Sequence, residues 1–554
     1  MRSAGFVALI CVLVAPACST DKPVAPPPAT SPTVSVTSDV PNALGQTGEF
    51  EWLLQFGTAV GDSAWDVRAD EDGNVYVAGE TGAAFPGQAF AGGLLDAFVR
   101  KYDAEGHELW TRQFGTAGND RAFAIFTFGA HVYVGGLTNG AFAGQVNTGG
   151  ADAFLRKFDA NGNEQWTRQF GTARFDEVEG IFVDVTGVYV SGDVFGALPG
   201  QTHAGMFDVF VRKYDFDGNE LWTHQFGSAG ADFARRISGD NSGIYVAGQV
   251  DGQLPGQTHF GTRDAFVRKY APDGSEVWTR QFGTGAVDNA TGVATHRTAL
   301  YVLGSTFAAL PGQTHAGLSD AFVRKYGADG TELWTRQFGT TENDIARAVS
   351  VRDGVVHVSG VTRGALPGQF NEGERDVFIR AYTSTGHELW TRQFGSVLLD
   401  DNWGLSDGPS GLYVAGIAGG ALPGLESQGA ADAFIGKVVL ELAVEIDIEP
   451  GGDPNSLRLG PGNLPVAILS STTFDATTVD PRSVVLAGAR VTLRAQGTPM
   501  ASAEDVDGDG RDDLVVHIDK AALELTAADV IAELTGRTFG GRVVFGVDEV
   551  RIIG

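Results

Sequence analysis

The sequence predicts an all-β protein, a seven-bladed β-propeller of four-stranded blades with a 56-residue repeat, followed by a small β-sandwich-like domain. Three observations lead there. Trp52, Trp110, Trp166, Trp222, Trp278, Trp334 and Trp390 each open a Trp-x-x-Gln-Phe-Gly segment, the first step being 58 residues and the next five 56. Asp96, Asp152, Asp208, Asp264, Asp320, Asp376 and Asp432 each open an Asp-Ala/Val-Phe-apolar segment, every step being 56. Glycine is abundant, at 77 of 554 residues, while hydrophobic content is an ordinary 43%, as a chain of many short strands and turns requires.

The chain opens with Met1-Arg2, an apolar run from Ala4 to Ala15, and small residues up to Cys18. A basic start, an apolar stretch too short to span a bilayer and small residues before a cut site read as an export signal over residues 1–18. Of the two cysteines, Cys11 falls inside that signal and Cys18 would head the mature chain. This arrangement resembles a bacterial lipoprotein. The resemblance implies lipidation of Cys18 and, with Ser19 rather than Asp next to it, an outer-membrane or cell-surface location. Cleavage after Ala17 and plain secretion is the alternative. Residues 19–46 are rich in Pro, Thr and Ser, cannot bury a core, and read as a tether. No disulfide is expected, so packing alone must hold the fold. The formal charge of −29 argues against nucleic acid and against anionic headgroups as partners, so membrane contact is expected through the lipid only. It also leaves carboxylates free for divalent cations.

The propeller is expected over residues 47–440. Within one unit, Ala346–Arg352, Val355–Gly360, Asp376–Tyr382 and Glu388–Phe394 alternate apolar and polar residues, as half-buried strands do. Thr383 to His387 reads as a hairpin turn, like Asp215 to Asn219 one third of the chain earlier, and Ala365-Leu366-Pro367-Gly368-Gln369 as a longer loop. Glycines and alternation exclude a helical repeat; a linear β-solenoid is the runner-up. The string Trp-Thr-Arg-Gln-Phe-Gly-Thr, then Tyr-Val-Ala-Gly, Leu-Pro-Gly-Gln and Asp-Ala-Phe-Val-Arg-Lys-Tyr resembles the SBBP repeat of exported bacterial proteins, from about Glu49 to Leu440. That resemblance implies the fold and no particular ligand. Similarity to an NHL-type blade implies that the strand after Phe-Gly-Thr is innermost and the tryptophan strand outermost. Trp52 to Phe56 would then complete the last blade beside the strand from Asp432, removing a sheet edge.

Residues that recur in every unit read as scaffold. The tryptophans are expected between blades or at their edges. Both aspartate sets (the second is Asp62, Asp120, Asp176, Asp232, Asp288, Asp344 and Asp400) are expected to cap turns through backbone N–H groups. Function is sought where the repeat varies. Three residues after the second set stand Trp65, Phe123, Glu179, Arg235, Thr291, Arg347 and Trp403. On an innermost strand these would line the channel, with Trp403, Trp65 and Phe123 as an aromatic arc facing Glu179, Arg235 and Arg347. Such an arc can bind sugars or aromatic groups; the plainer reading is that the rings fill space. His203, His259 and His315 recur on three consecutive blades but lie too far out to share one ion. No catalytic signature stands out. The functional expectation is a monomeric, non-enzymatic binding or scaffold propeller at the cell envelope with a protein or glycan ligand. The alternative is an extracellular glycan-active hydrolase or lyase, centred on Glu179 and Arg235.

Residues 441–554 leave the repeat. Strands are read at Val444–Ile448, Pro465–Leu469, Val484–Leu486, Leu514–Ile518 and Val543–Ile553, and a short helix at Ala527–Leu534. The loop Asp505-Val506-Asp507-Gly508-Asp509-Gly510-Arg511-Asp512-Asp513 matches Asp-x-Asp-x-Asp-Gly-x-x-Asp. Calcium takes several oxygens at about 2.3–2.6 Å, which alternate residues of a tight loop can supply. Asp505, Asp507, Asp509, the Arg511 carbonyl and Asp513 are the expected ligands. The loop resembles dockerin-like and integrin-type calcium loops, which run into a strand, and calcium is expected to brace this domain.

Overall fold

The computed structural model describes residues 47–450, 455–526 and 529–553; the signal, tether and Cys18 lie outside them. The repeats form seven antiparallel four-stranded sheets. In the first, the order is Asp62–Ala69, Val75–Thr81, Asp96–Tyr102 and Glu108–Phe114. In the unit read above, the strands are Asp344–Arg352, Val355–Thr362, Asp376–Tyr382 and Glu388–Phe394. The aspartate-led first strand of each sheet packs on the equivalent strand of both neighbours, so it is innermost, and the tryptophan strand is outermost.

The ring is joined by a strand from the far end of the chain. Phe50–Phe56 runs antiparallel to Asp432–Val438, with Leu53 opposite Gly436 and Phe56 opposite Ala433. The Asp62 N–H donates to the Ala431 carbonyl at 2.9 Å, the same bond that joins Asp176 to Ala151 and Asp400 to Arg375. The seventh and first sheets thus meet like any other pair, and no propeller sheet edge is left beside Asp432–Val438.

Each motif residue has a mechanical task. Trp110 Nε1 donates to the Ala160 carbonyl at 3.1 Å, and Arg112 Nε to the Gly162 carbonyl at 2.9 Å, both in the hairpin turn of the next blade. Trp166 and Arg168 repeat this on Phe216 and Gly218. The turn can offer those carbonyls because Gly162 (φ +75°) and Gly218 (φ +78°) adopt a backbone unfavourable for side chains. Outer strands with this pair are stapled to their neighbours, at about 1 kcal/mol per bond; on the third blade His224 stands in place of the arginine and Trp222 Nε1 has no partner. The motif glutamine works within the blade. Gln225 Oε1 accepts the Leu198 N–H at 2.9 Å, and its Nε2 donates to Asp208 at 2.8 Å, which holds the Leu-Pro-Gly-Gln loop.

The aspartates come in pairs across each junction. All fourteen are fully buried, and they do accept turn N–H groups, as from Thr116 to Asp120 at 2.7 Å and from Ala91 to Asp96 at 2.7 Å. The motif glycine separates the two carboxylates: a Cβ on Gly115 would sit 2.6 Å from Asp96 and 2.8 Å from Asp120. Loss of hydration pushes the carboxyls of Asp176, Asp232 and Asp400 up to about 6, against the pull of their turn N–H bonds.

Residues 441–553 form two packed sheets. One contains Leu442–Ala443, Val543–Ile553, Ile531–Arg537, Val485–Leu486 and Ala489–Arg490, with Asn455–Arg458 parallel to Val543–Ile553. The other contains Ile446–Ile448, Asn463–Ile468, Asp513–Asp519 and Ala501–Glu504. Ile448, Val466, Val516, Ile518, Leu534 and Val544 meet between them. The expected helix at Ala527–Leu534 is corrected: Ile531–Arg537 is a strand antiparallel to Val543–Ile553, while residues 527–528 lie outside the described ones. Tertiary pairing overrides the helical propensity of the alanines, and Ala532 and Leu534 face the core.

This domain docks on the last two blades. Val543 and Phe545 join the apolar cluster around Trp390, Phe394 and Val438. Glu533 accepts bonds from Ser384 Oγ at 2.8 Å and Thr385 Oγ1 at 2.7 Å in the sixth blade's turn. The seventh blade has no such turn, because the chain leaves it after Val438. Glu441 takes its place and accepts the Trp390 Nε1–H at 2.9 Å.

Candidate functional site

In all seven sheets the register between the two inner strands slips at one place, and the slipped residue is the one three after the aspartate. Trp65, Phe123, Glu179, Arg235, Thr291, Arg347 and Trp403 are thus all β-bulge residues. A bulge leaves its residue out of the ladder and re-aims the side chain. This is why the variable positions of the repeat can meet across the ring.

They do meet. The Trp65 ring lies 5.1 Å from Trp403 and 5.4 Å, edge to face, from Phe123. The Arg347 guanidinium sits 3.8 Å from the centre of the Trp403 ring. Arg347 and Arg375 both reach the Asp401 carboxylate, at 3.3 and 3.0 Å. Across the third and fourth blades Arg235 pairs with Glu179 at 3.0 Å, and beside the aromatic arc Arg121 of the second blade pairs with Glu80 of the first at 3.0 Å. Thr291 is spent locally, donating to the Ala346 carbonyl at 2.6 Å.

Three residues that the sequence reading did not single out complete the site. Arg236 crosses the channel from the fourth blade, donating to the Glu179 carbonyl at 3.0 Å and the Trp403 carbonyl at 2.9 Å. It thereby ties the fourth blade to the third and seventh at this level. A signal was present: the six equivalent positions are Asp66, Ala124, Gly180, Gly292, Ala348 and Gly404, mostly small, which leaves room for one long side chain. Glu177 and Asp193 stand directly opposite each other on neighbouring strands of the third blade. Burial pushes both carboxyls well above the usual range, and Glu179 adds repulsion to each while Arg235 opposes it. Arg235 in turn stays charged despite burial, because Glu179 and Asp193 face it.

The loops between second and third strands open on the side of the ring where the inner strands begin. They carry exposed apolar tips: Leu94, Val146, Met206, Phe260, Leu318 and Phe370, of which Phe370 is 82% exposed. That face of the ring thus carries exposed apolar side chains, a feature of surfaces that meet a partner.

His203, His259 and His315 do not converge. His259 and His315 each sit 3.2 Å from the aspartate of their own blade, Asp264 and Asp320, and His203 3.9 Å from Asp208.

In the acidic loop, one oxygen each of Asp505, Asp507 and Asp513 lies within 4.8 Å of the others. Gly508 (φ +80°) and Gly510 (φ +87°) permit the turn. Asp513 is fully buried and fixed by the Ser470 and Val506 N–H groups, at 2.7 and 2.9 Å. Asp509 is not in that group; its carboxylate takes the Arg511 N–H at 2.8 Å and the Arg511 guanidinium.

No family model matches the chain. A regulatory protein, FlaEY of Caulobacter vibrioides, is 25% identical over 407 residues, covering 63% of this chain. The chain spans 42% of that relative's length. Among solved structures, a phage phi92 endosialidase aligns at 11% identity and TM-score 0.39, over 90% of this chain and 87% of its own. Drosophila semaphorin 2a aligns at 7% identity and TM-score 0.41, over 92% and 99%. Likenesses this distant carry no functional weight. Among the described residues no helix is long and apolar enough to cross a membrane.

Proposed function

We propose that this protein is a non-enzymatic binding propeller of the cell envelope that captures a protein or glycan ligand at the channel mouth. The observation that carries the reading is the arc Trp403–Trp65–Phe123, built on bulge residues and backed by Arg347 and the Arg235–Glu179 pair. Flat rings beside fixed charges offer apolar faces and directional polar contacts together. Arg236 spans the channel between the third and seventh blades, which favours binding at the mouth over passage through it. The hydrolase or lyase alternative would rest on Glu179, but that carboxylate is engaged by Arg235 at 3.0 Å.

The test is a Trp65→Ala/Trp403→Ala double variant. The tryptophans are half-buried at the mouth, so the fold should survive while retention of cell-envelope components, or glycan-array signal, falls at least tenfold. Unchanged binding by the variant removes the reading.

We further propose an exported lipoprotein, anchored through Cys18 and held off the membrane by residues 19–46. In the C-terminal domain, Asp505, Asp507 and Asp513 would hold calcium, with the Arg511 carbonyl and water completing its shell. Asp509 would join only by giving up Arg511. Calorimetry should register calcium binding to the full chain, weakened at least tenfold by Asp507→Ala and less by Asp509→Ala. Equal affinity in the Asp507→Ala protein would contradict this assignment.

A further inference from the structure

The third blade differs from the other six in the chemistry it presents to the mouth. Three positions per blade face it: the residue after the inner-strand aspartate, the bulge residue, and the second-strand residue opposite the first. The first blade offers Ser63, Trp65 and Glu80; the fourth, Phe233, Arg235 and Gln249; the sixth, Ile345, Arg347 and Val361. Only the third offers carboxylates at all three, Glu177, Glu179 and Asp193.

Their geometry is that of a coordination shell. One oxygen from each lies within 4.8 Å of the other two. Oxygens bound to one calcium at about 2.3–2.6 Å can be no more than about 5 Å apart, so a single ion can reach all three. Asp193 is completely buried; its Oδ1 accepts the Ala234 N–H at 2.7 Å, while its Oδ2 has no partner. A buried carboxylate oxygen without a partner forfeits its hydration with nothing in return. Glu177 and Asp193 are moreover a direct cross-strand pair of acids, an arrangement that is destabilising whenever both are ionised.

Charge counting points the same way. Two guanidinium groups lie at the cluster: Arg235, which pairs with Glu179, and Arg236, which donates to the Glu179 and Trp403 carbonyls. Arg121 is engaged by Glu80 at 3.0 Å. Fully ionised, the three carboxylates carry more charge than these two arginines balance. Glu179 keeps 16% of its side chain exposed, which leaves an entry from the mouth.

We infer that Glu177, Glu179 and Asp193 form a divalent-cation site at the propeller mouth, separate from the C-terminal acidic loop. An all-oxygen donor set selects a hard ion, calcium before manganese or magnesium, and excludes a thiolate- or imidazole-seeking metal. The ion supplies the missing charge, gives Asp193 Oδ2 its partner, and turns a repulsive cross-strand pair into a bridge between the two inner strands. The inference stands whether or not the mouth binds the proposed ligand.

The experiment uses the full chain carrying Asp507→Ala to weaken the C-terminal loop, and compares it with the same chain also bearing Glu177→Gln or Asp193→Asn. Calcium, manganese and magnesium chlorides are titrated by calorimetry, and melting is followed in EDTA and in calcium. The parent is expected to bind one calcium with affinity at least tenfold above either variant and to melt higher in calcium than in EDTA. In EDTA both variants should melt at or above the parent, since each replaces a carboxyl whose ionised form is disfavoured there by burial and by its neighbour. Equal affinity in parent and variants, or a parent that binds none of the three ions and melts identically in EDTA and calcium, overturns the site. Variants that melt below the parent in EDTA, with a parent indifferent to cations, would mark the cluster as an ion-pair network with Arg235 and also overturn it.

Discussion

A chain lacking residues 47–57 is expected to lose cooperative folding of the propeller. The segment supplies the outer strand of the seventh sheet, and its side chains belong to two cores. Trp52, Leu54 and Phe56 pack in the cluster between the seventh and first blades, and Phe50 and Leu53 in the cluster between the sixth and seventh. Each apolar side chain of this size contributes about 1.5–3 kcal/mol when buried. Trp52 is buried and the other four are half-buried, so removing them takes away about 4–9 kcal/mol, comparable to the net stability of an ordinary domain. Two specific ties go with them: Trp52 Nε1 to the Ala104 carbonyl at 3.0 Å, and Gln55, which bonds the Leu422 N–H and the Asp432 carboxylate. The newly exposed edge at Asp432–Val438 is apolar, so soluble material should aggregate. Circular dichroism melting checks this. A truncated protein that remains monomeric and melts cooperatively within 5 °C of the full chain would show that the ring does not need its closing strand.

The closing strand was legible because it carries the motif. Trp52-x-x-Gln55-Phe56-Gly57 precedes the first full unit, and the strand from Asp432 ends the last without a partner, so the two fragments make one blade. Repetition makes such reasoning possible, since each position is read seven times. The same repetition located the ring of Trp65, Phe123, Glu179, Arg235, Arg347 and Trp403, because scaffold positions hold still while those vary. It did not reveal that these are bulges, since a bulge is a fact of pairing register and leaves no mark in a strand's own alternation. Nor did it bring out Asp193, which belongs to the neighbouring strand and meets Glu177 only once the hairpin has closed. The aspartate sets were recognisable as turn caps, but their pairing across blade junctions depends on the ring. Outside the repeat, a single copy of each segment leaves propensity alone to decide, and the expected helix at Ala527–Leu534 takes in the first half of the strand Ile531–Arg537.

Glu441 shows how the scheme is adapted where the repeat ends, and its removal is expected to cost about 3–5 kcal/mol. In six blades the Tyr-Val-Ala-Gly strand carries a buried tyrosine, as at Tyr301 and Tyr413; the sixth blade has His357 there, fully buried. His357 Nε2 lies 3.2 Å from Glu441 Oε1, and Trp390 Nε1 donates to Oε2 at 2.9 Å. Burial alone would raise the Glu441 carboxyl. The charge and hydrogen bond of His357, with the bond from Trp390, hold it down at about 2. Its unfolded value is near 4.3, so the folded state prefers the ionised form. That contribution is complete above about pH 4.5 and is lost as pH falls through about 2. Glu441→Ala should therefore lower the urea-unfolding free energy most at pH 7, and the gap to wild type should narrow by pH 3. Glu441→Gln, which keeps the shape and an acceptor for Trp390, should lie between them at pH 7. The same carboxylate follows the last propeller strand and precedes Leu442–Ala443, the first strand of the C-terminal domain. Damage at Glu441 should thus also loosen the docking of Val543 and Phe545, read as faster proteolysis between residues 439 and 446. A gap that is the same at pH 3 and pH 7, or a loss under 1 kcal/mol, would mean that packing alone carries this junction.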